Sequence, residues 1–250
     1  LTEEVSKCLS FSLLTALTHI HSLRLIHSDL KPENILSVFT PSYLERIVDE
    51  CKYNLENRNI SDNQSTIVKK IKETKFIKSI FKIADFGNTI DKYNTGHIIQ
   101  TRSYRCPEVI IKANYSTSSD MWSVACILFE AVTSDKLFYP EKKDNCTCNE
   151  HHLSLMIKRI GKIPKKIALS GEKSKLYFDR DGCLKNFKTL QMTNIKDIFT
   201  NKYNFDEDYS QRLNSFLSPM FDFCPNRRAN AEEMLKHEWI SNVSEISDEL

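Results

Sequence analysis

Glycine is scarce in this chain. The 250 residues hold five glycines, where average usage of about 7 % would supply roughly eighteen. They are dispersed at Gly87, Gly96, Gly161, Gly171 and Gly182, so no G-x-G-x-x-G or G-x-x-x-x-G-K-[ST] loop can form. The chain therefore brings no glycine-rich cradle of its own to a phosphate. Long apolar runs are also missing. The best stretch, Met121 to Val132, is interrupted by Ser123 and Glu130 and is far short of the roughly twenty residues that span a bilayer. Eight cysteines are scattered without a C-x-x-C pair, which argues against a disulfide scaffold and points to a reducing compartment, cytoplasm or nucleus. Cys146-x-Cys148 beside His151 and His152 is too weak a spacing to argue for zinc. Lys+Arg 35 against Asp+Glu 33 gives a formal charge of +2, so no global field favours direct nucleic-acid binding or an anionic membrane.

What is present is an ordinary globular composition, 40 % hydrophobic and 27 % charged, enough for a sizeable core. Val5, Leu9, Leu13, Leu17 and Ile20 recur at helical spacing from Thr2 to His21, with Glu3 and Glu4 where the helix dipole favours carboxylates. Residues 23–36 break that period, and Pro32 forbids a continued helix; a loop between short strands is expected. Residues 37–78 read as an insertion: a helical piece from Ser42 to about Asn54, a polar linker and a lysine-rich segment. FKIADFG (81–87) is strand-like, and 88–108 reads as a long functional loop. Further helices are expected over Ser118–Val132, Leu153–Ile160, Asp206–Phe223 and Ala231–Lys236. The fold class is mainly α with a few short β-strands.

The chemistry concentrates in His27-Ser28-Asp29-Leu30-Lys31-Pro32-Glu33-Asn34. A carboxylate, an ammonium and an amide lie two and three residues apart in one loop. That set suits phosphoryl transfer: Asp29 to orient and deprotonate an attacking hydroxyl, Lys31 to neutralise charge on the transferred group, Asn34 to hold a metal. Asp85, ahead of Phe86-Gly87, supplies a second oxygen ligand of the kind Mg²⁺ favours. Taken alone, each of these residues has a bland reading as packed histidine, turn carboxylate, solvated lysine or cap. The ordered combination H-x-D-x-K-P-x-N followed by D-F-G is far more specific.

This combination resembles the catalytic and magnesium loops of the eukaryotic protein kinases, and the resemblance continues along the chain. Cys106-Pro107-Glu108 is similar to the A-P-E element, Asp120-Met121-Trp122 to the D-x-W that opens the central helix, and Arg228 to the arginine that pairs with Glu108. HSDLKPENILSV, KIADFGN, IIQTRSYR and the segment from Ile160 to Asn186 narrow it to the SR-protein kinases of the CMGC group, whose insertion lies at the same place. The resemblance implies the C-terminal lobe of the kinase-like fold, covering residues 1–250 without the small lobe. It implies a serine/threonine kinase, monomeric, using ATP and Mg²⁺ on Arg-Ser-rich protein substrates. Lys31, Asn34, Leu36 and Asp85 would face the nucleotide and Asn34 and Asp85 the metal; Thr101, Arg102, Arg105 and Asp135 would meet substrate; His27, Glu108, Asp120 and Arg228 would be structural. Ser28 replaces the arginine that captures an activation-loop phosphate in most kinases, so activity without that phosphorylation is expected. Asp135, Asp144 and Glu150 remain as groove acids, but His151 and Lys158 stand where acids are expected. A non-catalytic binding module and a CMGC kinase of other site preference stay open as alternatives.

Overall fold

The computed structural model describes residues 1–38, 80–91, 97–143, 145–187, 189–241 and 243. The first helix, α1 (Glu3–Ser22), starts where Thr2 Oγ1 accepts the Val5 amide at 3.4 Å, and it buries Leu9, Leu13, Leu14 and Leu17. Beside it runs α3 (Ser118–Thr133), whose residues Ser119 to Phe129 are all buried. A helix covered on every side has no polar stripe to maintain, and α3 is the axis of the core. Trp122 at its centre stacks on Phe138 with centroids 5.9 Å apart and meets Phe221 edge-on at 5.2 Å.

Two small antiparallel ribbons lie against α1. β1 (Leu25–Ile26) pairs with β4 (Ile90–Asp91). β2 (Ile35–Val38) pairs with β3 (Ile80–Ile83) in the register Ile35 to Ile83 through Val38 to Ile80. A 3₁₀ turn, Pro32–Asn34, leads into β2; proline fits its first position because no amide is needed there. The remaining described helices are α2 (Pro107–Ile110), α4 (Cys148–Ile160), α5 (Lys165–Ala168), α6 (Ser174–Tyr177), α7 (Ile195–Tyr203), α8 (Glu207–Leu217) and α9 (Ala231–Met234). The architecture is mainly helical with a few short strands, as expected.

Several boundaries differ from the sequence reading for identifiable reasons. Ser37 and Val38, the first residues of the expected insertion, form the end of β2; the rest of it to residue 78, with its expected helix and lysine-rich segment, lies outside the described residues. Helix α4 begins five residues before Leu153 because Thr147 caps it, its Oγ1 accepting the Glu150 amide at 3.2 Å. Helix α8 stops at Leu217 and tightens into a 3₁₀ turn over Ser218–Phe221, where Pro219 interrupts the α-helical bonding. Helix α7 is additional to the helices expected from apolar spacing; Asn194 caps it at 2.8 Å, and Ile195, Ile198 and Phe199 form its buried face.

One ion pair locks the far side of the core. Arg228 and Glu108 are paired through two bonds of 2.7 and 3.0 Å, with side-chain exposures of 0 % and 1 %. The guanidinium also donates to the Asp222 and Ser118 carbonyls and lies 5.1 Å from the Trp122 ring centroid. Burial works against its charge, but Glu108 overcomes it and holds Arg228 more firmly protonated than in water. Gly171 is held nearby because any Cβ there would sit 2.1 Å from the Ile111 carbonyl oxygen, the same oxygen that accepts the Lys173 amide at 2.9 Å. Removing one partner strands a buried charge, so Arg228→Ala is expected to cost roughly 3–5 kcal/mol in urea unfolding. The double variant Glu108→Leu with Arg228→Met should lose distinctly less; an equal loss would contradict this account of the pair.

Candidate active site

The segment after α1 is held to the core by Asp120, the third residue of α3. Its fully buried carboxylate accepts the His27 amide at 2.9 Å through Oδ2 and the Ser28 amide at 3.0 Å through Oδ1, with His21 Nε2 3.0 Å from Oδ2. His27 then ties two loops together. Its Nε2 lies 3.0 Å from the Ala84 carbonyl and its Nδ1 faces the Asp29 amide at 3.4 Å, a pattern that suits a ring with the proton on Nε2. Phe86 packs edge-on to the same ring at 5.2 Å.

Asp29 stands at the centre of the site. Its Oδ2 accepts from Lys31 Nζ at 2.6 Å, while Oδ1 accepts from Thr101 Oγ1 at 2.6 Å and from the Thr101 amide at 3.1 Å. Asn34 Nδ2 donates to the Asp29 carbonyl at 2.9 Å, which turns the amide oxygen the other way. The β2–β3 register continues into a bond from the Ala84 amide to the Asn34 carbonyl at 2.9 Å, so Asn34 and Asp85 meet at the same end of one ribbon. Of the expected nucleotide and metal residues, Lys31, Asn34 and Asp85 are thus gathered around one point; Leu36 lies on β2 with its side chain exposed.

Three residues here hold positive φ without being glycine: Ser28 at 72°, Asp85 at 63° and Gln100 at 67°. Such strain persists only where surroundings over-determine it. Ser28 is fixed by Asp120 and by its own Oγ, which donates to the Asn88 carbonyl at 2.6 Å. Gln100 donates its amide to the Ser28 carbonyl at 2.7 Å, and its buried side chain reaches the Ser119 carbonyl, Ser123 Oγ and the Cys106 amide. Neither His21 nor Gln100 stands out in the sequence; a buried glutamine that bridges loop and helix has no local signature. A cleft of about 460 Å³ opens beside Asp29, bounded by Asn88, His97, Gln100 and Thr101.

Electrostatics follow from this packing. Burial pushes the Asp29 carboxyl up, but the hydrogen bonds from Lys31 and Thr101 prevail and hold it below the ordinary carboxylate range. Lys31 is raised, first by its bond to Asp29, against a smaller desolvation effect, with Glu33 and Asp85 adding to the rise. Both groups are therefore charged at neutral pH.

The expected substrate residues are placed differently. Thr101 is on the Asp29 carboxylate, and Arg102 Nη1 donates to Asn149 Oδ1 at 3.0 Å. Arg105 is turned inward onto the Ile99 and Gln100 carbonyls. Asp135 pairs with Lys202 Nζ and Tyr203 OH, each at 2.7 Å, rather than reaching the Asp29 centre. Glu150 is buried and accepts from Asn186 Nδ2 at 3.0 Å, His151 is buried against the Glu141 backbone, and Asp144 lies outside the described residues.

The protein kinase domain model matches residues 1–240. The chain belongs to the protein kinase family. Within it, the similarity is to SR-protein kinases. Serine/threonine-protein kinase SRPK of Physarum polycephalum is 35 % identical over 95 % of this chain and 61 % of its own length. Serine/threonine-protein kinase SKY1 of Saccharomyces cerevisiae is 34 % identical over 74 % of this chain and 25 % of its own. Human SRSF protein kinase 3 is 36 % identical over 64 % and 28 %. The chain thus spans about three fifths or less of the curated relatives it matches.

Because its folded-state value is depressed, Asp29 stabilises the loop above the ordinary carboxylate pKa, and that contribution is lost as pH falls through the lowered value. Thr101→Val removes one of the two side-chain donors, so the Asp29 titration, followed by carboxyl carbon-13 NMR, is expected to move upward. A midpoint unchanged in the valine variant would contradict the role given to Thr101.

Proposed function

We propose that this chain is the large catalytic lobe of a serine/threonine protein kinase that transfers the γ-phosphate of ATP to serines of Arg-Ser-rich proteins. The observation that carries the reading is the Asp29 carboxylate held between Lys31 and Thr101 with Asn34 and Asp85 at the adjoining ribbon end. Asp29 orients the incoming hydroxyl and takes its proton, and Lys31 screens charge on the transferred group. The amide oxygen of Asn34 and the exposed carboxylate of Asp85 are the hard oxygen donors that suit Mg²⁺, whose contribution when bound is to neutralise phosphate charge. Leu36, exposed on β2, offers an apolar surface to the nucleotide base. His27, Asp120, Glu108 and Arg228 act through position, not contact with substrate.

A kinase also needs a glycine-rich loop and a strand lysine from a small lobe; no G-x-G-x-x-G lies in these 250 residues, which are expected to be inactive on their own. The Arg-Ser preference is supported by the similarity to SR-protein kinases, while the tied-up Asp135 and the buried His151 argue for a weaker arginine groove. A binding module without catalysis has no use for all four polar groups in this arrangement. The Ser28 hydroxyl, occupied by the Asn88 carbonyl, supports loop order without a captured phosphate.

The test is phosphate transfer to an Arg-Ser peptide by a protein that joins this chain to a kinase small lobe, after phosphatase treatment. Transfer is expected, and Asp29→Asn should lower kcat by roughly 10²–10⁴. An inert dephosphorylated enzyme revived by loop phosphorylation would contradict the role given to Ser28. Undiminished transfer by the asparagine variant would contradict the base.

A further inference from the structure

Arg159, in the last turn of α4, is a cation without an anion among the described residues. Its Nε is buried and has no hydrogen-bond partner, and no carboxylate of the described residues pairs with it. Burial weakens its hold on the proton, relieved only by Tyr203. Two cavities share it. One, of about 340 Å³, is lined also by Lys136, Thr193, Asp197, Lys202 and Tyr203; the other, of about 290 Å³, by Asn194, Lys196, Asn214 and Ser218. Lys196 is neutralised by Glu207 and Lys202 by Asp135. Lys136 has the face of Tyr104, 5.8 Å from the ring centroid. Among the described residues, Asp197 is the one carboxylate lining the first cavity, against Arg159 and Lys136.

A half-buried guanidinium costs desolvation free energy that a planar, two-oxygen anion would offset through paired charge-assisted hydrogen bonds. An isolated guanidinium is the side chain best shaped for a carboxylate or phosphoryl group. We propose that the cavity at Arg159 is an anion-binding site that receives an acidic side chain, phosphoserine or glutamate, of a bound polypeptide. A polypeptide is favoured over a free ion by position: Lys136 bridges from the cavity to Tyr104, three residues after the Thr101 that holds Asp29. One wall of the cavity is thereby a single side chain away from the loop that holds Asp29. The site is distinct from phosphoryl transfer and is measured without nucleotide.

The experiment is fluorescence anisotropy with the full chain and three otherwise identical peptides carrying phosphoserine, glutamate or serine at one position. At least one acidic peptide should bind roughly tenfold more tightly than the serine peptide. That preference should vanish in Arg159→Leu, persist in part in Arg159→Lys, and increase in Asp197→Asn, which removes the facing carboxylate. Arg159→Leu should melt no lower than the parent, because it replaces an unpaired buried charge with an apolar side chain. Equal binding of all three peptides, or a preference that survives Arg159→Leu in a chain that melts normally, would overturn the proposal. So would inorganic phosphate that displaces the acidic peptide at concentrations as low as the unlabelled peptide does, which would mark a free-anion site.

Discussion

Everything at the candidate site depends on one buried carboxylate. Asp120 has no access to water, and its two oxygens take the backbone amides of His27 and Ser28. Those amides cannot be satisfied by a ladder, because the chain at Ser28 has turned into the left-handed region. An anion at the start of a helix is favoured by the helix dipole, and here the same charge satisfies two orphan donors of a strained loop. The axis of the core thereby dictates where Asp29 points, although Asp120 never touches Asp29 itself.

From that anchor the site is built by carbonyls and amides more than by side chains. Gln100 fixes the second strained turn against α3, which sets Thr101 on the Asp29 carboxylate. The His27 ring and the Ala84 amide join the loop to the β2–β3 ribbon, which sets Asp85 beside Asn34. Two segments remote in sequence, around Ser28 and around Gln100, are thus held to one helix through Asp120, Ser119 and Ser123. The Glu108–Arg228 pair acts similarly farther off, holding α2 and the end of the loop against the base of the core. Surface ion pairs, such as Lys236 with Glu232, add little by comparison.

Much of this is legible in the sequence. The α1 and α3 helices declare themselves by apolar spacing, and Asp29, Lys31, Asn34 and Asp85 by an ordered set of chemistries that chance seldom produces. The substrate side is less legible, because charge counts do not say which acid is already paired. Asp135 looks like a free groove acid in sequence, and only its position beside α7 reveals Lys202 and Tyr203 as partners. Gln100 and His21 are silent for the same reason: their roles lie in long-range hydrogen bonds, which leave no period or motif. Arg159 sits in an amphipathic helix where a surface charge is ordinary, and its burial without a partner is visible only in three dimensions.

The most direct test of this dependence is amide hydrogen exchange in the full chain carrying Asp120→Ala. The amides of His27 and Ser28 should lose their protection and exchange through local opening, while those of α1 between Leu9 and Leu17 keep theirs. Unchanged protection at His27 and Ser28 would contradict the account, since the loop would then be held by something other than the Asp120 carboxylate.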